Sequence, residues 1–339
     1  MKDKNIPNRA FTCLLIGLLP DEHVEKLSSF LKKEGFNVFI LDLEPKNRKN
    51  FYIRWSNIDG IDPRFTADDG VSFSFSEIDC VFWRVKTFHL SPPFDKDLTP
   101  DDHFRFREWC RFVESLPALL PNAVWLNNPS AEKIADNKIL QLTIAKEMGL
   151  HVPKTIISNN NDDLLSLFYD SRVVYKTLSQ PMHDANNIIL TTEISKDAIK
   201  NGKFYLESCP NQLQNYVDKK YELRILIILS EIISIKVNSQ NSETAKIDWR
   251  TEQLNKEIFE ISEIPESLKI NLLSLCERLN LNLAVVDVII DKCGNPVFLE
   301  INPGGQWAWL DRYFNNSLTT LVARSIRNFL TYRYQGIAL

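Results

Sequence analysis

Three oxygen-bearing side chains near the end of the chain, Asp287, Glu300 and Asn302, are the first candidates for chemistry. They lie in Leu283-Ala-Val-Val-Asp287-Val-Ile-Ile-Asp291 and Val297-Phe-Leu-Glu300-Ile-Asn302, two apolar runs joined by a turn at Lys292-Cys-Gly-Asn295. The pattern predicts two strands of a hairpin. A period of two puts Glu300 and Asn302 on one face, and Asp287 on the neighbouring strand can share it. Charge inside a buried strand needs a partner. Two carboxylates and an amide oxygen on one face suit a hard cation such as Mg²⁺, held together with phosphates. The alternative is an acidic, solvated hairpin face, against which the apolar flanks argue.

Four cations come next. Lys176 ends the apolar run Val173-Val-Tyr-Lys176. There it can capture phosphate or simply extend its head to solvent. Lys138 falls on a helical stretch and can equally be a solvated residue. Arg224 lies in Glu222-Leu-Arg224, with Glu222 on the same side, as part of a site or of a structural ion pair. Arg250 closes Asp248-Trp-Arg250 after a polar loop, as an anion clamp or a free surface residue.

The elements that must position these residues read as follows. Residues 11–19 are a buried strand. Lys2, Lys4 and Arg9 before them resemble the start of a signal peptide, but the apolar run is short, with no small-residue cleavage site. Residues 21–34 carry Val24, Leu27, Phe30 and Leu31 at helical spacing, with Gly35 as the stop, and 36–41 form a second strand. This β-α-β opening predicts a parallel sheet with a right-handed crossover. It lacks G-x-G-x-x-G, which argues against a dinucleotide site. Residues 51–76 read as irregular. A strand at 78–83 ends in Arg84, a polar loop spans 89–102, a helix spans 102–115, and Trp125-Leu126 closes a first domain, 1–127. The second, 128–212, opens with one long helix from 128 to 149, capped by Ser130. Strands at 154–157, 172–176, 187–190 and 211–217, with a short helix at 162–169, predict a small, mostly antiparallel sheet. The third, 213–339, holds a hairpin of 221–229 and 232–236 turning at Ser230-Glu231. A mobile polar loop at 238–250, a helix at 267–279, the acidic hairpin and a last helix at 317–332 follow. The fold class is α/β with α+β.

A chain of 339 residues suggests two or three domains. Its net charge of −4, without a long basic run, makes nucleic acid a poor partner. The six cysteines show no C-x-x-C pair. A zinc or disulfide framework is not expected, and a reducing cytoplasm fits better. No stretch is apolar for long enough to span a membrane.

Taken in order, Lys138, Lys176, Gln214-Asn-Tyr-Val217, Glu222-Leu-Arg224, Asp248-Trp-Arg250, Asp287 and Glu300-Ile-Asn302 resemble the ATP-grasp ligases over essentially the whole chain. Two phrases, Leu299-Glu-Ile-Asn-Pro-Gly-Gly-Gln-Trp-Ala-Trp309 and Val81-Phe-Trp-Arg84, are similar to the microviridin-type (graspetide) macrocyclases. Ribosomal-protein glutamate ligases are a related group. The resemblance implies an ATP-grasp fold behind an N-terminal open parallel-sheet domain. It also implies peptide recognition in the central subdomain and a metal site in the C-terminal one.

It further implies ATP between two halves, with Lys138 and Lys176 on its phosphates and the backbone of Tyr216 and Val217 on the adenine. Gln214 would start this hinge, and Asp218 would be the nearest residue for the ribose. Asp287, Glu300 and Asn302 would hold Mg²⁺, and Arg224 and Arg250 would steady the transferred phosphoryl and an acyl phosphate. The segment Ser179-Gln-Pro-Met-His-Asp184 departs from the family in not being glycine-rich. No protein nucleophile is required, because phosphoryl transfer relies on positioning and electrostatics. The implied reaction activates Asp or Glu side chains of a ribosomal precursor peptide, made of a leader and an acidic, Thr-rich core. Thr, Ser or Lys side chains then attack to give ester or amide crosslinks. A homodimer is implied, and neither nucleic acid nor membrane. Residues 303–309 are expected at the edge where the activated carboxylate meets its nucleophile. The alternatives are a ligase adding amino acids to a protein tail or small peptide, and a non-catalytic nucleotide- or peptide-binding module.

Overall fold

The computed structural model describes residues 10–44, 51–67, 70–85, 98–169, 171–179, 189–201, 208–252 and 254–336. β1 (Thr12–Gly17), α1 (Glu22–Lys33) and β2 (Asn37–Asp42) form the expected β-α-β unit, with β1 and β2 parallel. Every β1 side chain is buried, as in a sheet covered on both faces. Asp21 caps α1 by accepting from His23 N and Val24 N. Residues 51–76 are not irregular: β3 (Phe51–Arg54), β4 (Arg64–Ala67) and β5 (Ser72–Ser74) pair as an antiparallel sheet. Runs of three or four residues are too short to show their alternation in sequence. β6 (Cys80–Trp83), α2 (Pro100–Leu119) and β7 (Val124–Leu126) complete the first layer. α2 starts earlier than expected, because Thr99 and Asp102 form a capping box before Pro100. The parallel sheet runs β2-β1-β6-β7. Most of the loop expected at 89–102 lies outside the described residues.

The expected long helix is two, α3 (Pro129–Ala135) and α4 (Lys138–Glu147). Asn128, not Ser130, caps the first, and Asn137 caps the second by accepting from Leu140 N. Such a cap is worth about 1 kcal/mol. The break makes Lys138 the first residue of α4 instead of a mid-helix residue.

β8 (Thr155–Ser158), α5 (Asn161–Leu165), β9 (Val173–Lys176), β10 (Thr192–Ile194), α6 (Lys196–Lys200) and β11 (Asn211–Asn215) follow. The four strands form an all-antiparallel sheet, β10-β9-β11-β8. The strand expected at 187–190 falls partly outside the described residues, and the observed one begins at Thr192. β11 pairs with β8 and β9, so the strand that crosses residue 212 belongs whole to this sheet.

β12 (Lys219–Ile228) and β13 (Glu231–Val237) turn at Leu229-Ser230, one residue before the expected place. β14 (Phe259–Ser262), unexpected from sequence, α7 (Glu266–Arg278), β15 (Leu283–Asp291), β16 (Pro296–Asn302) and α8 (Ser317–Gln335) complete the chain. The large sheet is antiparallel, β14-β13-β12-β15-β16. Its two faces bury different cores, as period-two alternation requires. Leu223, Ile225, Ala284, Val286 and Val288 pack with Leu272 and Leu275 of α7 and Ile144 of α4. On the other face, Leu226, Ile228, Leu283 and Val285 share a core with Val24 and Leu27 of α1 and Val322 and Ile326 of α8. The first domain is thereby fixed to the large sheet. The small sheet has its own core, of Leu164, Leu167, Val173, Ile194, Ile199 and Leu213.

Candidate functional site

The register of the large sheet lines up three charges. Arg224 on β12 is directly opposite Asp287 on β15, which is directly opposite Glu300 on β16. Between Asp287 and Val288 the register slips, so Leu299 and Glu300 together face Asp287. This β-bulge lets two consecutive side chains reach one cleft. Asn302, two residues on, reaches Glu300 Oε1 at 3.3 Å and Asp287 Oδ2 at 3.5 Å. The row therefore faces the first-domain side of the sheet, beyond the apolar stretch of Leu226 and Val285.

A cleft of about 490 Å³ opens over this row, its opposite wall the small sheet. Lys176 and Val174 of β9 line that wall, and Gln214 to Val217 form the crossing between the sheets. Lys138 closes one end: its Nζ donates to Thr177 O at 2.6 Å and sits 3.8 Å from Glu300 Oε2. Val174, Pro153, Ile289 and Leu299 give the cleft an apolar slot beside the hinge. Thus Lys138, Lys176, Gln214, Tyr216, Val217, Arg224, Arg250, Asp287, Glu300 and Asn302 all border one space.

Asp218 does not border it. Its carboxylate is largely exposed, 3.8 Å from Lys292 Nζ, and turned out of the cleft. At the hinge, Tyr216 N donates to Arg172 O at 2.8 Å, which leaves its carbonyl, not its N–H, to offer. The Tyr216 ring lies under the Arg172 guanidinium at 4.0 Å.

Both arginines are held from several sides. Arg224 Nη1 donates to Asp287 Oδ1 at 2.9 Å, Nη2 donates to Gln306 O at 2.9 Å, and the guanidinium lies 5.4 Å from the Trp249 ring. Arg250 pairs bidentately with Asp248, whose Oδ2 also accepts from Thr191 N at 3.1 Å. Burial opposes the charge on Arg250, but Asp248 more than offsets it and holds the guanidinium above its ordinary value. The segment 238–250 is ordered by such bonds: Ala245 is fully buried, and Trp249 stacks on Trp309 at 5.7 Å.

The carboxylates respond to the same field in opposite senses. Burial pushes Asp287 up to about 6, against the pull of Arg224 and with the repulsion of Glu300. Burial also raises Glu300, but Lys138, Lys176 and Arg250 outweigh it and hold the group below its ordinary value. Burial lowers Lys176. The donor set fits a hard cation: two adjacent carboxylates repel each other, and Asn302, whose Nδ2 here donates to both of them, would add its amide oxygen on turning the side-chain amide over. Among the described residues no three His, Cys, Asp or Glu side chains cluster, so other oxygens must complete the shell. That suits an ion shared with phosphates, not a closed protein cage.

Within the segment after Asn302, one tryptophan does not border the cleft. Trp307 is 1 % exposed, with its ring edge-on to His23 and its Nε1 donating to Thr319 Oγ1 at 3.3 Å. It is a core anchor, whereas Pro303, Gly304, Gly305, Gln306 and Trp309 of this stretch line the cleft. Gly305 has no room for a side chain, since a Cβ would sit 2.4 Å from Val285 Cγ2.

Sequence reasoning passed over several supports. Gln141 of α4 bonds both the N–H and the carbonyl of Ile301, at 3.1 and 2.8 Å, and so fixes the edge strand between Glu300 and Asn302. Its signal was a polar residue one turn before buried Ala145. Buried Lys219 donates to Glu222 Oε1 at 2.7 Å, and Ser239 donates to the same oxygen. This accounts for the carboxylate of Glu222-Leu-Arg224.

No family model and no curated protein sequence matches the chain. Solved structures do. A Chryseobacterium gregarium RiPP-associated ATP-grasp ligase, in complex with ADP and a leader and core peptide, is 23 % identical with a TM-score of 0.79. The match covers 95 % of this chain and 97 % of that one. The macrocyclase MdnC from Microcystis aeruginosa MRC, bound with its precursor peptide, is 25 % identical with a TM-score of 0.76, over 94 % and 99 %. D-cycloserine synthetase, 11 % identical over 94 % and 99 %, reaches 0.56. From its first parallel strand to its last helix, the chain has the ATP-grasp ligase fold, in the form carried by ligases of ribosomally made peptides.

Proposed function

We propose that this protein is an ATP- and Mg²⁺-dependent ligase that crosslinks side chains of a ribosomal precursor peptide. The observation that carries the reading is the row Arg224–Asp287–Glu300, which shares one cleft with Lys138, Lys176 and Arg250. The similar structures hold ADP, AMPPNP and Mg, and precursor peptides, and so support it.

ATP supplies a phosphoryl group to an Asp or Glu side chain of the peptide, and Mg²⁺ neutralises the phosphate charge. Asp287, Glu300 and Asn302 would hold that ion. Lys176 meets the phosphates from the other wall and Lys138 from the end of the cleft, and the slot of Val174, Ile289 and Leu299 takes the base beside Tyr216 and Val217. Arg224 and Arg250, already oriented by Asp287 and Asp248, stabilise the charge of transfer without reorganising. The acyl phosphate loses phosphate when a Thr or Ser hydroxyl, or a Lys amine, attacks its carbonyl carbon. The small-sheet subdomain binds the leader, and the protein works as a homodimer in a reducing cytoplasm. Support for the last point is that all six cysteines are unpaired; no described helix is long and apolar enough to cross a membrane.

The test is to incubate the protein with ATP, Mg²⁺ and the short peptide encoded beside its gene. The peptide loses the mass of one water per crosslink, with one ADP formed each time. A gain of one residue mass, or an unchanged peptide from every neighbouring frame, contradicts the reading.

A further inference from the structure

Residues 304–306 line the cleft, 307 and 308 turn into the core, and the backbone of this stretch is held by the first domain. His23 Nε2 accepts from both Trp307 N, at 3.1 Å, and Ala308 N, at 3.2 Å. Arg84 Nη1 donates to Gly304 O, and Lys26 Nζ donates to Ala308 O at 2.7 Å. Behind these contacts, Asp21 accepts from Arg84 Nε at 3.3 Å and lies 3.5 Å from His23 Nδ1, while Arg84 Nη2 approaches the same Nδ1 at 3.3 Å. His23 is 6 % exposed and Arg84 9 % exposed. Buried polar groups of this kind are costly unless bonded, and a helix and a strand of another domain supply them here to a single loop. From the cleft side, Gln306 O in the same loop receives Arg224 Nη2 at 2.9 Å.

We propose that His23, held at its protonated Nδ1 by Asp21, which Arg84 in turn anchors, is a positioning residue for the transfer step. It acts through the loop 304–308 on Arg224. A neutral imidazole with a bare Nε2 can satisfy two adjacent N–H groups, which only an acceptor can do. With both held, the carbonyl of Gln306 stays aimed at Arg224, and the guanidinium stays fixed between that carbonyl, Asp287 and Trp249. The nucleotide contacts at Lys138, Lys176 and the hinge lie on other elements. The clamp therefore governs turnover, not nucleotide affinity. The role in transfer rests on the ligase reading; the clamp on the loop does not.

Two readouts test it on the full-length protein, with His23→Ala, His23→Gln and Arg84→Lys. Without substrate, hydrogen exchange at the Trp307 and Ala308 amides is expected to quicken in His23→Ala by tenfold or more, on the order of a lost buried hydrogen bond. It quickens less in His23→Gln, whose amide oxygen can still accept. With ATP, Mg²⁺ and peptide, kcat for ADP release falls on the order of a hundredfold in His23→Ala. KM for ATP stays within about twofold, and His23→Gln recovers part of kcat. Should His23→Ala unfold, His23→Gln and Arg84→Lys carry the same comparison. Unchanged exchange at both amides overturns the clamp, wild-type kcat in His23→Ala overturns its role in transfer, and either result leaves the ligase reading intact. Wild-type protein that releases no ADP with any peptide removes the ligase reading and the transfer role together, whatever the exchange shows.

Discussion

The two walls of the cleft are built to different standards. The large-sheet wall carries Arg224, Asp287, Glu300 and Asn302 on central or register-locked strands, with apolar cores on both faces of the sheet. Gln141, His23 and Arg84 tie its backbone from neighbouring elements. The small-sheet wall carries Lys176 and the hinge on short strands over a separate core, in which Leu164, Leu167, Val173, Ile194, Ile199 and Leu213 are buried among the described residues. The difference matches the tasks proposed for the two walls. Charge developing in a transfer step has to meet groups that do not move, whereas a nucleotide wall need only approach and hold. Substitutions in the large-sheet wall should therefore act on turnover, and those in the small-sheet wall on nucleotide binding.

The sharpest way to break this contrast is Glu300→Ala. It removes a proposed cation ligand and leaves Lys138 and Lys176 without the counter-charge they share. ADP release with peptide should fall on the order of a thousandfold or more. A loss under tenfold would take Glu300 out of the cation site.

Lys176→Met probes the other wall. The side chain keeps its length and loses its charge, so KM for ATP should rise about tenfold with kcat much less affected. A kcat collapse at unchanged KM would show the walls to be functionally equivalent.

Acid should weaken the large-sheet side first, through His23. Burial, assisted by the charge of Arg84 and opposed by Asp21 and Glu22, holds His23 below its ordinary value of 6.5. The unfolded chain then takes the proton more readily than the folded one. His23 contributes its full share of stability above about pH 6.5 and loses it as the pH falls. Thermal melting of wild type and His23→Gln at about pH 7.5 and 5.5 should show the wild-type advantage shrinking in acid, the other titrating groups being common to both. An advantage that grows in acid would reverse the assignment.

The smallest effect is expected at Asp218. It is exposed, and an ion pair of that kind with Lys292 is worth well under 1 kcal/mol. Asp218→Ala should leave both kcat and KM for ATP within about twofold. A tenfold rise in KM would restore the ribose contact that its sequence position suggested.

Much of this site was legible in the residues. The period of two placed Glu300 and Asn302 together. The charged residues inside apolar strands, Arg224 and Asp287, were conspicuous because burial makes such residues rare. What the sequence hid is tertiary. Register decides that Arg224, Asp287 and Glu300 stand in one row, and no local pattern sets a register between Arg224 and Asp287, 63 residues apart. The break between α3 and α4 was visible as Asp136-Asn137, yet apolar periodicity ran across it. Trp307 and Trp309 look alike in sequence, but one fills the core against His23 and Thr319 and the other stacks on Trp249 at the rim. His23 stands four residues before Leu27 on the apolar stripe of α1, and only the loop brought against it from 284 residues away gives it a role.

The central claim is that this cleft makes an acyl phosphate on a peptide side chain, and one isotope measurement reads that directly. A precursor peptide whose Asp and Glu side-chain carboxylates carry heavy oxygen is turned over with unlabelled ATP, and the released inorganic phosphate is weighed. The account predicts one heavy oxygen in phosphate for every crosslink formed, and none with Glu300→Ala. Crosslinked peptide accompanied by wholly unlabelled phosphate would contradict it.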